Sequence, residues 1–330
     1  MSLDSFENRA ADEQTAVKPN NGVFDALVRT IKGRKGGVGG HEEDQVKAAT
    51  ALCNLCCDSA QNREIARQCG AVEALVQLLK GAGGEHKART IECAAACFSN
   101  LSGDRQCKAA IAASDAPSLL KQVLSSGHLQ AASQAAGALW TLCIDSSEQT
   151  KTEIATADTV QSLVNLLADQ VETTAGLSHA QRMSLLSRVC GCLSECSIRN
   201  NTVKSYIGNA GAIPQLLKVC ESEDMACQRL AACALCNLLA NHQGNKRLAK
   251  RANVIREMAG VLKSTQVKEM QCACASVIIN IACKSDKEEL EALQVLPLLR
   301  SIKNSRGIDV RLMCVTNSVG ESQSLAFGTY

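Results

Sequence analysis

Aromatic residues are nearly missing from this chain: one Trp, two Tyr and four Phe among 330 residues, 2% in all. A core must therefore be built from Ala, Leu, Ile, Val and Cys, side chains suited to close helix packing. Proline is equally scarce, at four residues, which leaves long stretches free to be helical. Neither sign of charge dominates: 35 Lys and Arg face 33 Asp and Glu, a net of +2, so electrostatics gives no argument for nucleic acid or membrane surfaces. No run approaches the roughly 18 apolar residues that a membrane-spanning helix needs. The opening "MSLDSFENRAADEQ" is polar and acidic without an apolar signal core, residue 2 is Ser rather than a myristoylated Gly, and "AFGTY" is no prenylation box. The expected compartment is the cytoplasm, with the nucleus as the alternative, and the thiols of the 19 cysteines are expected to be reduced.

What is present is a core-forming composition, 46% hydrophobic and 21% charged, which excludes global disorder. It is arranged as a repeat. "ALCNL" (51–55) returns as "CFSNL" (97–101), "ALWTL" (138–142), "CLSEC" (192–196) and again "ALCNL" (234–238). Aligned, these fragments define a column at 54, 100, 141, 195, 237 and 280, with "CVTNS" adding 317. The intervals are 46, 41, 54, 42, 43 and 37 residues, a period near 40 that points to a helical solenoid. Each unit has a short first segment ("NREIARQCG", 62–70), an apolar second helix ("AVEALVQLL", 71–79) and, after a polar loop, a longer third helix ("QRLAACALCNLLA", 228–240). The third helix carries small or apolar residues around most of its circumference and should be nearly surrounded. At the junction of the first two helices stand Gly70, Asp115, Asp158, Gly211 and Asn253, with Gly22 in a partial first unit and Leu293 departing in the last. These types tolerate the positive φ that a sharp bend favours.

The "N…I…GA…LV.LL" and "A..AL.NL" patterns, most complete in 45–79 and 201–240, resemble the armadillo-repeat family. The resemblance implies an all-α fold, a right-handed α-solenoid of about seven armadillo repeats whose third helices line a concave groove. The repeats are expected at 18–60, 61–104, 105–146, 147–199, 200–241, 242–283 and 284–320, between a disordered tail (1–17) and a C-terminal tail (321–330). With helices packing about 8–10 Å apart, the rod would be roughly 70 Å long. Residues 32–44 and 169–180 read as loops.

In armadillo proteins the recurring asparagine holds the backbone of an extended peptide. The candidate groove residues are accordingly Asn54, Asn100, Thr141, Glu195, Asn237, Asn280 and Asn317, with Trp140 beside the column. An amide offers both a donor and an acceptor, matching a peptide unit. An extended chain advances about 3.3 Å per residue, so neighbouring asparagines would meet every third residue or so. The competing arrangement is an asparagine satisfied within its helix or bonded to the adjacent repeat. For Trp140 packing between repeats is the stronger expectation. The break at Thr141 and Glu195 divides the groove into two binding stretches, near repeats 1–2 and 5–7. Four residues further on stand Asp58, Asp104, Asp145, Arg199, Asn241, Lys284 and Glu321, one helical turn along; they are expected either near the same face or, equally, as solvated charges at helix ends.

Other constellations are weaker. The close cysteine spacings at 53/56/57, 190/192/196 and 272/274 fall in third helices where other repeats place Ala, Ser or Leu, which makes them small core hydrophobes rather than metal ligands. His41, His86, His128 and His179 lie in or beside loops a solenoid step apart, too far for one metal. "GRKGGVGG" (33–40) lacks the GK[ST] ending of a phosphate loop. "NKRLAKR" (245–251) is basic and helical, and reads as a solvated outer face.

No catalytic arrangement, cofactor or metal site stands out, so the expectation is no enzyme. The leading function is a protein–protein interaction scaffold that binds an extended segment of a partner, with no nucleic acid and no membrane insertion. A co-chaperone or ubiquitin-ligase-type substrate arm is the alternative. A nuclear-import adaptor is disfavoured. Four residues before the column, where that family carries tryptophans, stand Thr50, Ala96, Gly137, Gly191, Cys233, Ser276 and Met313.

Overall fold

The computed structural model describes residues 21–33, 41–82, 87–172 and 177–304. Every regular element among them is helical. The chain opens with α1 (Gly22–Lys32) and α2 (His41–Cys57), followed by α3 (Ala60–Gln68), α4 (Ala71–Gly81) and α5 (Lys87–Leu101). The same short–medium–long triplet returns as α6 (Arg105–Ala112), α7 (Ala116–Leu124) and α8 (Leu129–Cys143), and as α9 (Glu148–Ile154), α10 (Ala157–Glu172) and α11 (His179–Ser197). It continues as α12 (Asn201–Asn209), α13 (Ala212–Cys220) and α14 (Met225–Leu239), then α15 (Gln243–Arg251), α16 (Val254–Ser264) and α17 (Lys268–Ile281). A 3-10 turn (Lys284–Asp286), α18 (Lys287–Ala292) and α19 (Leu296–Asn304) close the described part. The expected tails, His86, Met313 and Asn317 lie outside the described residues.

Local chemistry sets each helix start. Ser59, Asp104, Ser147, Asn200 and His242 precede the five first helices in extended backbone, and each side chain accepts a bond from a first-turn backbone N–H. Second helices begin differently. Gly70 (φ 81°), Gly211 (φ 81°) and Asn253 (φ 52°) turn the chain through the left-handed region, as the junction column requires. Asp115 and Asp158 do not. Asp115 sits at φ −74°, where Ser114 Oγ accepts from Ala116 N and supports a right-handed bend instead. Asp158 lies inside the first turn of α10, where its charge suits the helix dipole. In the last unit the left-handed residue is Gln294 (φ 54°), one position after Leu293.

Two loop expectations are corrected. Residues 41–44 are helical, with Glu42, Glu43 and Asp44 placed at the positive end of α2. Helix α10 continues to Glu172 and α11 starts at His179, capped by a Ser178–Gln181 box, so 169–172 and 178–180 of the supposed inserted loop belong to the helices and their cap. The residues four beyond the column do not extend its helical face, because the third helices end before them. Asp145, Arg199 and Asn241 occupy left-handed joints (φ 55–57°), and Asp104 is the cap of α6.

Packing is continuous. Leu52, Leu75, Phe98, Ile111, Leu139, Leu163 and Leu185 are fully buried in one core that runs along the whole stack. Burying each such side chain stabilises the array by about 1.5–3 kcal/mol. Consecutive third helices α2, α5, α8, α11, α14 and α17 make the most extensive helix–helix packing along the stack. No helix among the described residues is long and apolar enough to cross a membrane.

Candidate functional site

The third-helix face carries the asparagine column, and the structure gives its members specific partners. Asn100 Nδ2 donates to Cys53 O at 3.0 Å, Asn237 Nδ2 to Ser194 Oγ at 3.0 Å, and Asn280 Nδ2 to Cys236 O at 3.2 Å. Cys53, Ser194 and Cys236 each stand one residue before the column position of the preceding unit. The asparagines thus staple each third helix to the one before it. Asn54 is the first in the ladder, has no such predecessor, and is exposed. The Oδ1 atoms of Asn100 and Asn237, both half-buried residues, take no bond from the described residues, whereas Asn280 is itself buried.

The two exceptions follow the same logic. Thr141 is too short to reach back and donates to Gly137 O and Ala138 O of its own helix, both at 2.9 Å. Glu195 cannot donate at all; it accepts from Lys151 Nζ at 3.0 Å, a pair with 6% and 21% side-chain exposure. Trp140 packs across the seam between α8 and α11: a Cβ on Gly191 would lie 2.5 Å from its Cε2. Reciprocally, Arg188 of α11 lies over Gly137 of α8, where a Cβ would stand 3.2 Å from Arg188 Cδ. The two glycines four residues before the column therefore make room for one large side chain from each opposing helix.

Sequence reasoning missed a second column. Arg63, Lys108, Lys151, Lys204 and Lys246 are each the fourth residue of a first helix. Arg63 Nη1 donates to Cys56 O and Cys57 O at 2.9 Å, Lys108 Nζ to Ile144 O at 2.9 Å and Lys204 Nζ to Ala240 O at 2.6 Å. These cations sit at the negative ends of third helices. Burial pulls Lys204 and Lys246 below the usual lysine range. Their spacing, eight to ten residues after each column position, was legible as a signal.

Arrangements that resemble chemistry dissolve on inspection. Ser205 Oγ and His242 Nε2 are 3.0 Å apart, but His242 Nδ1 accepts from Asn245 N, which puts the ring proton on Nε2. That tautomer donates to the serine and cannot act as its base. Glu64, Asp104 and Cys107 bring ligand atoms within 4.8 Å of one another. Arg67 holds Glu64 down at about 2, Asp104 is committed to the backbone of α6, and burial pushes the Cys107 thiol up to about 12. We assign no cation to them. Burial is also the main force raising Cys56 to about 12 and Cys274 to about 12, in keeping with core thiols.

Residues 200–240, which include α12, α13 and α14, match the family model described as Armadillo/beta-catenin-like repeat. The fold is an armadillo-repeat solenoid. An engineered protein of known crystal structure superposes with a TM-score of 0.65 at 22% identity, covering 78% of this chain and 96% of that one. A designed armadillo repeat protein gives 0.65 at 16% identity, covering 78% and 100%. Another, solved in complex with the peptide (KR)4, gives 0.62 at 16% identity, covering 78% and 99%. No curated protein matches the sequence. The described column residues lie on third helices, and the amide donors of Asn100, Asn237 and Asn280 serve the array itself.

Proposed function

We propose that this chain is a non-catalytic interaction scaffold that holds an extended segment of a partner protein along the third-helix face. The observation that supports the reading is the unpartnered Oδ1 acceptors of Asn100 and Asn237, with exposed Asn54 in the same column, on the third helices that pack successively along the array. Each acceptor suits a backbone N–H of an extended chain. A designed armadillo protein of similar fold was solved with a peptide, which supports the same class of ligand here. The binding stretches are α2–α5 and α14–α17; between them Thr141, Glu195 and Trp140 are committed to their own surroundings. The cytoplasm, with access to the nucleus, is the compartment we propose.

Panning a random peptide library on the folded chain tests this reading. Peptides so selected should lose binding to Thr50→Arg, Cys233→Arg and Ser276→Arg, which obstruct the face. They should keep it with Arg247→Glu and Arg251→Glu on the exposed side of α15. The reverse pattern, or a library that yields no binder, overturns the proposal.

A further inference from the structure

The α8–α11 seam holds an arginine whose surroundings supply no counter-charge. Arg188 Nη1 donates to Gln134 Oε1 at 2.6 Å and to Ser133 Oγ at 3.3 Å, both neutral groups. No carboxylate pairs with it among the described residues, and burial alone weakens its charged form. Glu195, one to two turns along the same helix face, is already held by Lys151. The Arg188 side chain is pinned over Gly137, where a Cβ would meet Cδ at 3.2 Å and Nε at 3.3 Å. Its Nε and Nη2 make no bond among the described residues and are not buried orphans, so on this half-buried side chain that edge keeps some contact with solvent. The Nε/Nη2 edge is one that a carboxylate meets with two parallel hydrogen bonds.

The placement is also specific. At Thr141 and Glu195 the asparagine ladder lapses, so this is the point in the groove where main-chain reading stops. A desolvated, immobilised cation there supplies side-chain reading instead. We propose that Arg188 anchors an Asp or Glu side chain of the partner's extended segment as it crosses the α8–α11 seam. This rests on the groove reading above, and it sets the charge of the ligand opposite to that of the (KR)4 peptide seen with a designed armadillo protein.

The test uses fluorescence anisotropy with the full chain and three labelled ten-residue probes: alternating Glu and Ala, alternating Gln and Ala, and a basic Lys–Arg repeat. The acidic probe is expected to bind about tenfold tighter than the neutral one, with an affinity that falls as salt rises. Arg188→Gln should remove that preference, Arg188→Lys should restore part of it, and Arg247→Gln should leave it intact. Helical circular dichroism and melting check each variant; if Arg188→Gln fails to fold, Arg188→Lys and the salt dependence decide. A folded Arg188→Gln that keeps the preference overturns the assignment, as does an acidic probe bound no tighter than the others. A folded Arg188→Gln that binds the acidic and the neutral probe as tightly as wild type does would leave the groove reading standing while the arginine assignment fell. If no probe binds, the assignment falls and the selected peptides judge the groove.

Discussion

Lys151 Nζ and Glu195 Oε1 stand 3.0 Å apart and tie the first helix of one unit to its own third helix. With the lysine 6% exposed, removing the glutamate leaves a buried charge. Glu195→Leu should therefore cost about 3–5 kcal/mol, whereas Glu195→Leu with Lys151→Met should recover most of it. Urea unfolding midpoints of the two variants check this.

The asparagines should differ according to their bonds. Asn280→Ala removes the bond to Cys236 O, which keeps its bond from Ala240 N, and should destabilise by about 0.5–1.5 kcal/mol. Asn54→Ala, exposed and without a bond, should fall within about 0.5 kcal/mol of wild type. Equal losses in chemical denaturation would contradict the staple.

Gly191→Ala would place a Cβ 2.5 Å from Trp140 Cε2 and force the indole off the seam. A loss of about 1–3 kcal/mol is expected. Trp140 is the only tryptophan, so a red shift of the native emission reports its displacement directly.

Burial foremost, with Lys204 nearby, holds His242 below the ordinary histidine value. The unfolded chain then takes up a proton near pH 6.5 that the folded chain resists. The cap's contribution is thus complete above about pH 6.5 and is lost as pH falls through the folded value. Protonation also removes the lone pair with which Nδ1 accepts from Asn245 N. His242→Asn keeps a capping side chain without the titration, so its melting temperature should fall less between about pH 7.5 and 5. Parallel pH profiles would contradict this.

The solenoid was legible because its signal repeats: the column and the glycine or asparagine bends recur at one period. Individual bonds were not legible. The sequence pattern places Asn237 on the third-helix face but cannot show that its Nδ2 reaches Ser194 Oγ, since that depends on the offset between neighbouring helices. Asp115 misleads for a related reason: an aspartate tolerates left-handed backbone without requiring it, and Ser114 supplies another bend. Arg188 carries no periodic signal at all. It emerges only because Gly137, on a helix about fifty residues earlier, leaves space beneath it.

The most direct measurement is a cross-linking map of a library-selected peptide that carries a photoreactive group at each position in turn. If the third-helix face is the working surface, cross-links will move in order from α2 and α5 toward α14 and α17, or the reverse, as the group moves along the peptide. Cross-links confined to first or second helices, or without order along the array, would contradict the account.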